Sequence, residues 1–165
     1  MKKILIISIG IIILIIIITI ISPGPEFISF DDVPELSIAS EIDYMGRVVY
    51  QVEEARFITQ ISEINNNKSY FNGQLVRIEG FVHQFEDLEG NIRTSVSRNV
   101  PACCTEGETR GFILNYNGKL PDVNEWVEVM GILILETINY NMEVLVIDVE
   151  RVILKEVRGL EFVDR

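Results

Sequence analysis

One five-residue pattern occurs twice in this chain and constrains its fold more than any other feature. Val76-Arg77-Ile78-Glu79-Gly80 alternates apolar and charged residues, and the pattern returns fifty-one residues later as Val127-Glu128-Val129-Met130-Gly131. Alternation with period two is the signature of a strand with one buried face. Each copy runs on into apolar residues, Phe81 and Val82 in the first and Ile132 to Leu135 in the second. Glycine inside a long strand sacrifices packing and propensity, so its recurrence at equivalent points predicts a bulge or sharp coil in both strands. A small barrel needs such bends to close.

The other β segments are Asn91 to Arg98, Arg110 to Asn117 and Glu143 to Leu154, with turn signals at Glu89-Gly90-Asn91, Asn117-Gly118 and Asn139-Tyr140-Asn141. Five strands, two of them long and bent at glycine, predict a mainly β fold: a small five-stranded barrel of OB type, with a small open β-sandwich as the competitor. Before the barrel, Phe57, Ile61 and Ile64 fall on one helical stripe, which the run Asn65-Asn66-Asn67 would end. This short amphipathic helix is expected to cover one end of the sheet. Trp126, at the start of the fourth strand, is expected to plug the core or a barrel end.

The N-terminus follows a different code. From Ile4 to Ile21 only Ser8, Gly10 and Thr19 are not Ile or Leu. Eighteen helical residues extend about 27 Å, close to the roughly 30 Å hydrocarbon core of a bilayer. Lys2 and Lys3 precede this block, and Glu26, Asp31 and Asp32 follow it, so the positive-inside rule puts the N-terminus in the cytoplasm and the body outside the membrane. A cleavable signal peptide is the alternative, but its apolar region is usually about 7 to 15 residues, and either reading exports the body. The expected organisation is an anchor over residues 1–22, an acidic linker over 23–52 in which Val48-Val49-Tyr50 could add a short strand, and the barrel domain over 53–165.

Charge excludes several functions. All 25 acidic residues and all but two of the 14 basic ones lie beyond residue 22, leaving that part with a net charge of about −13. A nucleic-acid binder or a polybasic lipid-surface protein needs the opposite sign. No GxxxxGK or GxGxxG glycine loop is present to cradle a nucleotide. No serine has a histidine placed by sequence context to activate it. Glu86, Asp87 and Glu89 cluster at a hairpin tip, where carboxylates usually serve only as a solvated turn.

The chemically distinctive segment is Val100-Pro101-Ala102-Cys103-Cys104-Thr105-Glu106-Gly107-Glu108, which holds both cysteines of the chain as neighbours. A bridge between adjacent residues closes a strained ring, because neighbouring Cα atoms are about 3.8 Å apart and the usual disulfide needs more. Three readings stay open. The thiolates could bind zinc or copper, with Glu106, Glu108 or His83 completing the site. The pair could be redox active, since strain makes a disulfide labile. Alternatively, one cysteine packs as a small apolar residue while the other shapes the loop or pairs between chains. His83, the single histidine, is expected near the solvent face of the first strand.

Phe57, Ile61, Glu63-Ile64, Tyr70, Gly73, Val76 to Val82, Cys103-Cys104-Thr105, Gly111-Phe112 and Trp126 to Gly131 occur in an order that resembles the C-terminal soluble domain of the YcgQ-like bacterial membrane proteins. The resemblance implies an OB-type barrel attached to membrane helices beside a permease-like partner, and it brings no biochemical role. Two features depart from that pattern: Gly107 stands where the family carries an aspartate after the cysteine pair, and there is one apolar block before the domain instead of several. If the family builds a site on that constellation, this chain would use Glu106 or Glu108 or lack the site. Together these features predict a non-enzymatic, single-pass, extracytoplasmic binding module whose Cys103, Cys104, Glu106 and Glu108 loop contacts a metal ion, a ligand or a permease-like partner. An assembly subunit with no ligand of its own is the alternative, and a thiol redox protein is a weaker one.

Overall fold

The computed structural model describes residues 37–101, 108–138 and 141–163. The block Ile4 to Ile21, both cysteines and Glu106 lie outside the described residues, as do Asn139 and Tyr140 of the last turn signal. Among the described residues, no helix is long and apolar enough to cross a membrane.

Two short strands, β1 (Ser40–Ile42) and β2 (Val48–Gln51), are followed by a 3-10 turn (Glu54–Arg56), helix α1 (Phe57–Asn66) and a single helical turn, α2 (Lys68–Phe71). Five longer strands complete the domain: β3 (Leu75–Glu86), β4 (Ile92–Val100), β5 (Glu108–Asn115), β6 (Trp126–Ile138) and β7 (Met142–Leu154). Strands β3, β4, β5, β7 and β6 are neighbours in that order, and β6 pairs back onto β3, which closes the five into a barrel. Every pairing around the ring is antiparallel except β5 with β7.

The two copies of the repeated pattern face each other across one ladder. Val76 sits opposite Gly131, Ile78 opposite Val129 and Gly80 opposite Val127. Val76, Ile78, Val127 and Val129 are all fully buried in the barrel core. Each glycine lies where a further strand crosses closely. A Cβ at Gly80 would fall on the Ser97 carbonyl of β4, and one at Gly131 on the Asp148 carbonyl of β7. At the second corner the β6–β7 register slips between Met130 and Gly131, a bulge that sharpens the local twist. The same ladder sets Glu79 directly opposite Glu128 on its outer side, a repulsive pairing. Lys155 offsets it, with its ammonium 3.0 Å from Glu79 and 3.6 Å from Glu128.

Helix α1 buries Phe57, Gln60, Ile61 and Ile64, the expected stripe plus one amide. Phe57, Ile61 and Ile64 join the barrel core, and the Gln60 side-chain oxygen accepts from the Glu53 amide at 2.7 Å, fixing the approach to the helix. The segment read as a linker is structured from Ser37, because it carries Ile38, Val49, Tyr50 and Val52, all buried. Strand β2 adds to β3 in parallel, and the Tyr50 ring meets Tyr70 and Phe71 edge-on. Ser37 is tied to α1 through both Glu63 carboxylate oxygens, at 2.7 and 2.6 Å.

Trp126, only 2% exposed, is buried as part of a layered stack. The Arg98 guanidinium, only 2% exposed, lies between the rings of Phe57 and Trp126, 5.2 and 4.9 Å from their centroids. Its charge is met at 2.7 Å by Glu54 through Nη1, which also reaches the Leu160 main-chain oxygen, while Nε donates to that of Glu79. The Arg98 bond is the chief reason the Glu54 carboxyl is held below its ordinary pKa. Glu54 also accepts from the Leu160 amide at 2.8 Å, so one ion pair fastens the C-terminal segment over the barrel end. Val163 then packs into the core while its amide and that of Asn99 tie the two segments together.

The hairpin tip between β3 and β4 is more than a solvated turn. Asp87 is buried, and its carboxylate accepts from the amides of Glu89 and Asn91, from the Asn91 side chain and from Arg93. Burial pushes the Asp87 carboxyl up, but the Arg93 and Asn91 bonds outweigh it and hold the group at about 2.

Two predictions follow from corners and carboxylates. Gly80→Val and Gly131→Val should each cost at least about 3 kcal/mol, the range of severe overpacking, whereas Gly118→Ala, which meets only the movable end of the Tyr116 ring, should cost less than about 1 kcal/mol. Urea unfolding of the three variants checks this ordering, and a mild Gly80→Val would contradict the close crossing. The depressed value of Asp87 lies below the ordinary 3.8, so its stabilisation is present above that pH and lost as pH falls toward 2. The stability gap between wild type and Asp87→Asn should therefore be full at pH 6 and shrink between about pH 4 and pH 2. A gap independent of pH would show that the charge of Asp87 does not carry it.

Candidate functional site

Strand β4 is the middle of three strands whose outer faces form a groove of about 350 Å³. Register aligns what lines it: His83, Ser95 and Ile113 form one row across the strands, Ser97 and Gly111 lie in the next, and Thr109 in a third. The inward neighbours Val82, Val96 and Phe112 are core residues, so alternation turns the row residues outward. Phe85, two residues beyond His83, extends one wall.

Small residues create the depression. Ser95 and Ser97 occupy the floor on β4, and Gly111 continues it on β5, where a Cβ would fall on the Val96 carbonyl and lie 2.8 Å from the Ser97 Cα. The serines are 5% and 3% exposed, and their hydroxyls are hydrogen-bonded to each other at 2.9 Å. Ser95 also lies 3.4 Å from the main-chain oxygen of His83. One hydroxyl of the pair keeps an unused hydrogen or lone pair whichever way the bond between them runs. The His83 imidazole lies nearly parallel to the Phe85 ring, at 14° and 6.0 Å between centroids, and Phe81 meets His83 edge-on at 6.2 Å.

Among the described residues, none that lines the groove is Asp, Glu, Lys or Arg, and the guanidinium next in register, Arg93 opposite Phe85, is already paired with Asp87 and Glu136. The groove therefore offers hydroxyls, rings and an aliphatic wall, with no counter-charge for an ionic ligand. The Ser95 hydroxyl approaches the carbonyl of His83, not its imidazole, so the two do not form the nucleophile and base of an acyl-transfer site.

Of the residues singled out from sequence, His83 lies in the groove wall, half-buried, on the outer face where alternation put it. Glu108 opens β5, is exposed, and pairs with Arg110 at 2.8 Å. Residues 102–107, which include Cys103, Cys104 and Glu106, link β4 to β5 in the chain and lie outside the described residues. Among the described residues, no group of three or more His, Cys, Asp or Glu side chains is placed to share a metal ion. Sequence reasoning missed Ser95, Ser97, Thr109 and Gly111. Their signal was faint: small residues at alternate positions, Ser95 and Ser97, within a segment read only as a strand.

No curated protein and no solved structure matches this chain. Residues 36–156 match the model of the DUF1980 C-terminal domain, a span that begins just before the first described residue and ends beyond β7. The chain belongs to the DUF1980 C-terminal domain family.

Proposed function

We propose that this chain is a binding module with an OB-type barrel, held on the outer side of a membrane by Ile4 to Ile21, and that the groove across β3, β4 and β5 is its ligand seat. The groove itself is the observation that carries this reading. In OB barrels ligands are bound on the face of the second and third strands, flanked by the loops after the first and fourth. Here β4 and β5 are the second and third strands of the ring, and the Asp87 turn is the loop after the first. Cys103 and Cys104, with Glu106 and Glu108, sit in the connection between the two strands that floor the groove. That segment is the second contact surface of the module, toward a zinc or copper ion, the ligand or a permease-like partner. The acidic surface and the uncharged groove both argue against nucleic acid, whose phosphates would find no cation there.

The alternative, an assembly subunit docking on a membrane protein, is favoured by one other observation. The β1–β2 hairpin projects Ile42 and Tyr44, 74% and 88% exposed, together with Met45 and Val48. Large exposed apolar patches commonly mark interaction sites.

Thermal unfolding of the full chain in a non-ionic detergent separates the two readings. Against a panel of neutral and charged small metabolites at millimolar concentration, at least one compound should raise the Tm by several degrees, since ligand at ten times its Kd adds about 1.4 kcal/mol. Thr109→Trp, which lays an indole across the groove, should abolish that shift. A shift that survives Thr109→Trp would place the ligand elsewhere. A panel without a hit, combined with co-purification of a membrane protein that Tyr44→Asp abolishes, would establish the assembly role instead.

A further inference from the structure

We infer that the β1–β2 hairpin docks on a lipid surface: its tip, from Ile42 to Val48, enters the headgroup layer of the membrane that holds the chain. The inference rests on the reading of Ile4 to Ile21 as an anchor and adds a second point of attachment, supplied by the folded domain itself.

The tip is apolar where it is exposed, and its charges are paired. Ile42, Tyr44, Met45 and Val48 are 74%, 88%, 55% and 46% exposed. Tyrosine, with an apolar ring and a polar end, is a residue type enriched where membrane meets water. Asp43, its side chain only 5% exposed, holds Arg47 at 2.9 Å, and the same guanidinium reaches both Glu150 carboxylate oxygens on β7 at 2.8 and 2.9 Å. Glu41 pairs with Arg77 of β3. Lowering the tip out of bulk water therefore leaves none of these groups without a counter-charge.

The main chain is also prepared for a medium that offers few hydrogen bonds. The amides of Asp43 and Gly46 donate to the carbonyls of Arg47 and Asp43, and those of Met45 and Arg47 donate to the Asp43 carboxylate. Asp43 thereby fixes the turn before any surface is met, which lowers the ordering cost of docking.

Two other occupants fit less well. A second copy adding a strand needs an edge to pair with, and β1, the strand at the sheet edge, is only three residues long. A protein interface is rimmed by polar and charged groups, whereas those beside this tip are already committed to one another.

The rest of the chain points to lipid. Residues 23–36 separate the apolar block from Ser37, and at about 3.3 Å per residue they reach no further than about 46 Å. The hairpin is the first element after that tether, and tethering raises the effective concentration of a surface enough for weak insertion to be populated. Charge sets the lipid preference. With a net charge of about −13 beyond residue 22, the domain is repelled by anionic lipid, so attachment comes from apolar insertion and is strongest on a zwitterionic surface.

The experiment is fluorescence quenching by brominated phosphatidylcholine, on the full chain reconstituted into vesicles and carrying Tyr44→Trp. Leu88→Trp is the control: Leu88 is also apolar and 74% exposed, but lies in the β3–β4 turn, at the far end of β3 from its pairing with β2. Both positions are exposed, so neither substitution disturbs the core, and the buried Trp126 gives the same background in each. Quenching of Tyr44→Trp should exceed that of Leu88→Trp at least about 3-fold and should fall when anionic phosphatidylglycerol is added to the vesicles. Equal quenching at the two sites, or quenching that rises with anionic lipid, would overturn the docking while flotation of the chain with the vesicles keeps the anchor. A chain that does not float with them removes anchor and docking together. Unquenched Tyr44→Trp, joined with a co-purifying membrane protein that Tyr44→Asp releases, would give the hairpin to a protein partner instead.

Discussion

A barrel of five strands closes only if its first strand can meet its fourth, and here that meeting is the ladder between β3 and β6. Seven consecutive pairs join them, from Leu75 opposite Ile132 to Phe81 opposite Trp126. The inner side of that ladder, Val76, Ile78, Val127 and Val129, lies at the centre of the core. The glycine at the end of each copy lets the strand lean against its other neighbour, β4 on one side and β7 on the other. Helix α1, the β1–β2 hairpin and the C-terminal segment are all laid onto a ring that this seam completes.

The repeat was legible in the sequence because both copies keep period two and end on glycine. Their partnership was not, since nothing local to Val76–Gly80 identifies a strand fifty-one residues away as its neighbour. Helix α1 was legible for the opposite reason: Phe57, Ile61 and Ile64 reveal a stripe with no long-range information. The early strands escaped because Ile38, Val49, Tyr50 and Val52 are scattered among Ser, Asp and Glu, and they become core residues only once β3 exists for β2 to join. Arg98 and Asp87 escaped because charge suggests the surface. Each is buried with partners distant or turned back upon it, and burial with charged and hydrogen-bonded partners is a tertiary fact. For the candidate site, sequence drew attention to Cys103 and Cys104, which are conspicuous by type. The groove instead consists of commonplace serines, a threonine and a glycine that only strand register assembles into rows.

The charge balance gains meaning from the structure. Most of the basic side chains of the described domain are committed to carboxylates. Arg47 bridges Asp43 and Glu150, Arg93 bridges Asp87 and Glu136, and Lys155 bridges Glu79 and Glu128. The acidic excess is left to the rest of the surface, and none of it lies among the described residues that line the groove. Exposed pairs of this kind add little stability individually. Arg98 is the exception, because removing Glu54 would leave a buried guanidinium between two aromatic rings without its carboxylate, although the exposure of Glu54 to solvent keeps the cost below that of a fully buried pair.

Closure and groove meet in a single residue. The Ser97 carbonyl is what a Cβ at Gly80 would strike, and the Ser97 Cα is crowded by the position a Cβ would take at Gly111. Ser97 is thus clasped between two glycines, one that lets β3 coil toward closure and one that leaves the groove floor open. Its hydroxyl, buried and bonded to Ser95, is held by the same close approach of three backbones that shapes the barrel wall. A bulkier residue at either glycine would push β4 outward, loosening the seam and filling the groove together. Interiors packed at crystal-like density transmit such strain instead of absorbing it. The floor of the groove is therefore part of the barrel wall itself, while the Phe85 and His83 rings and Thr109 line it above that floor.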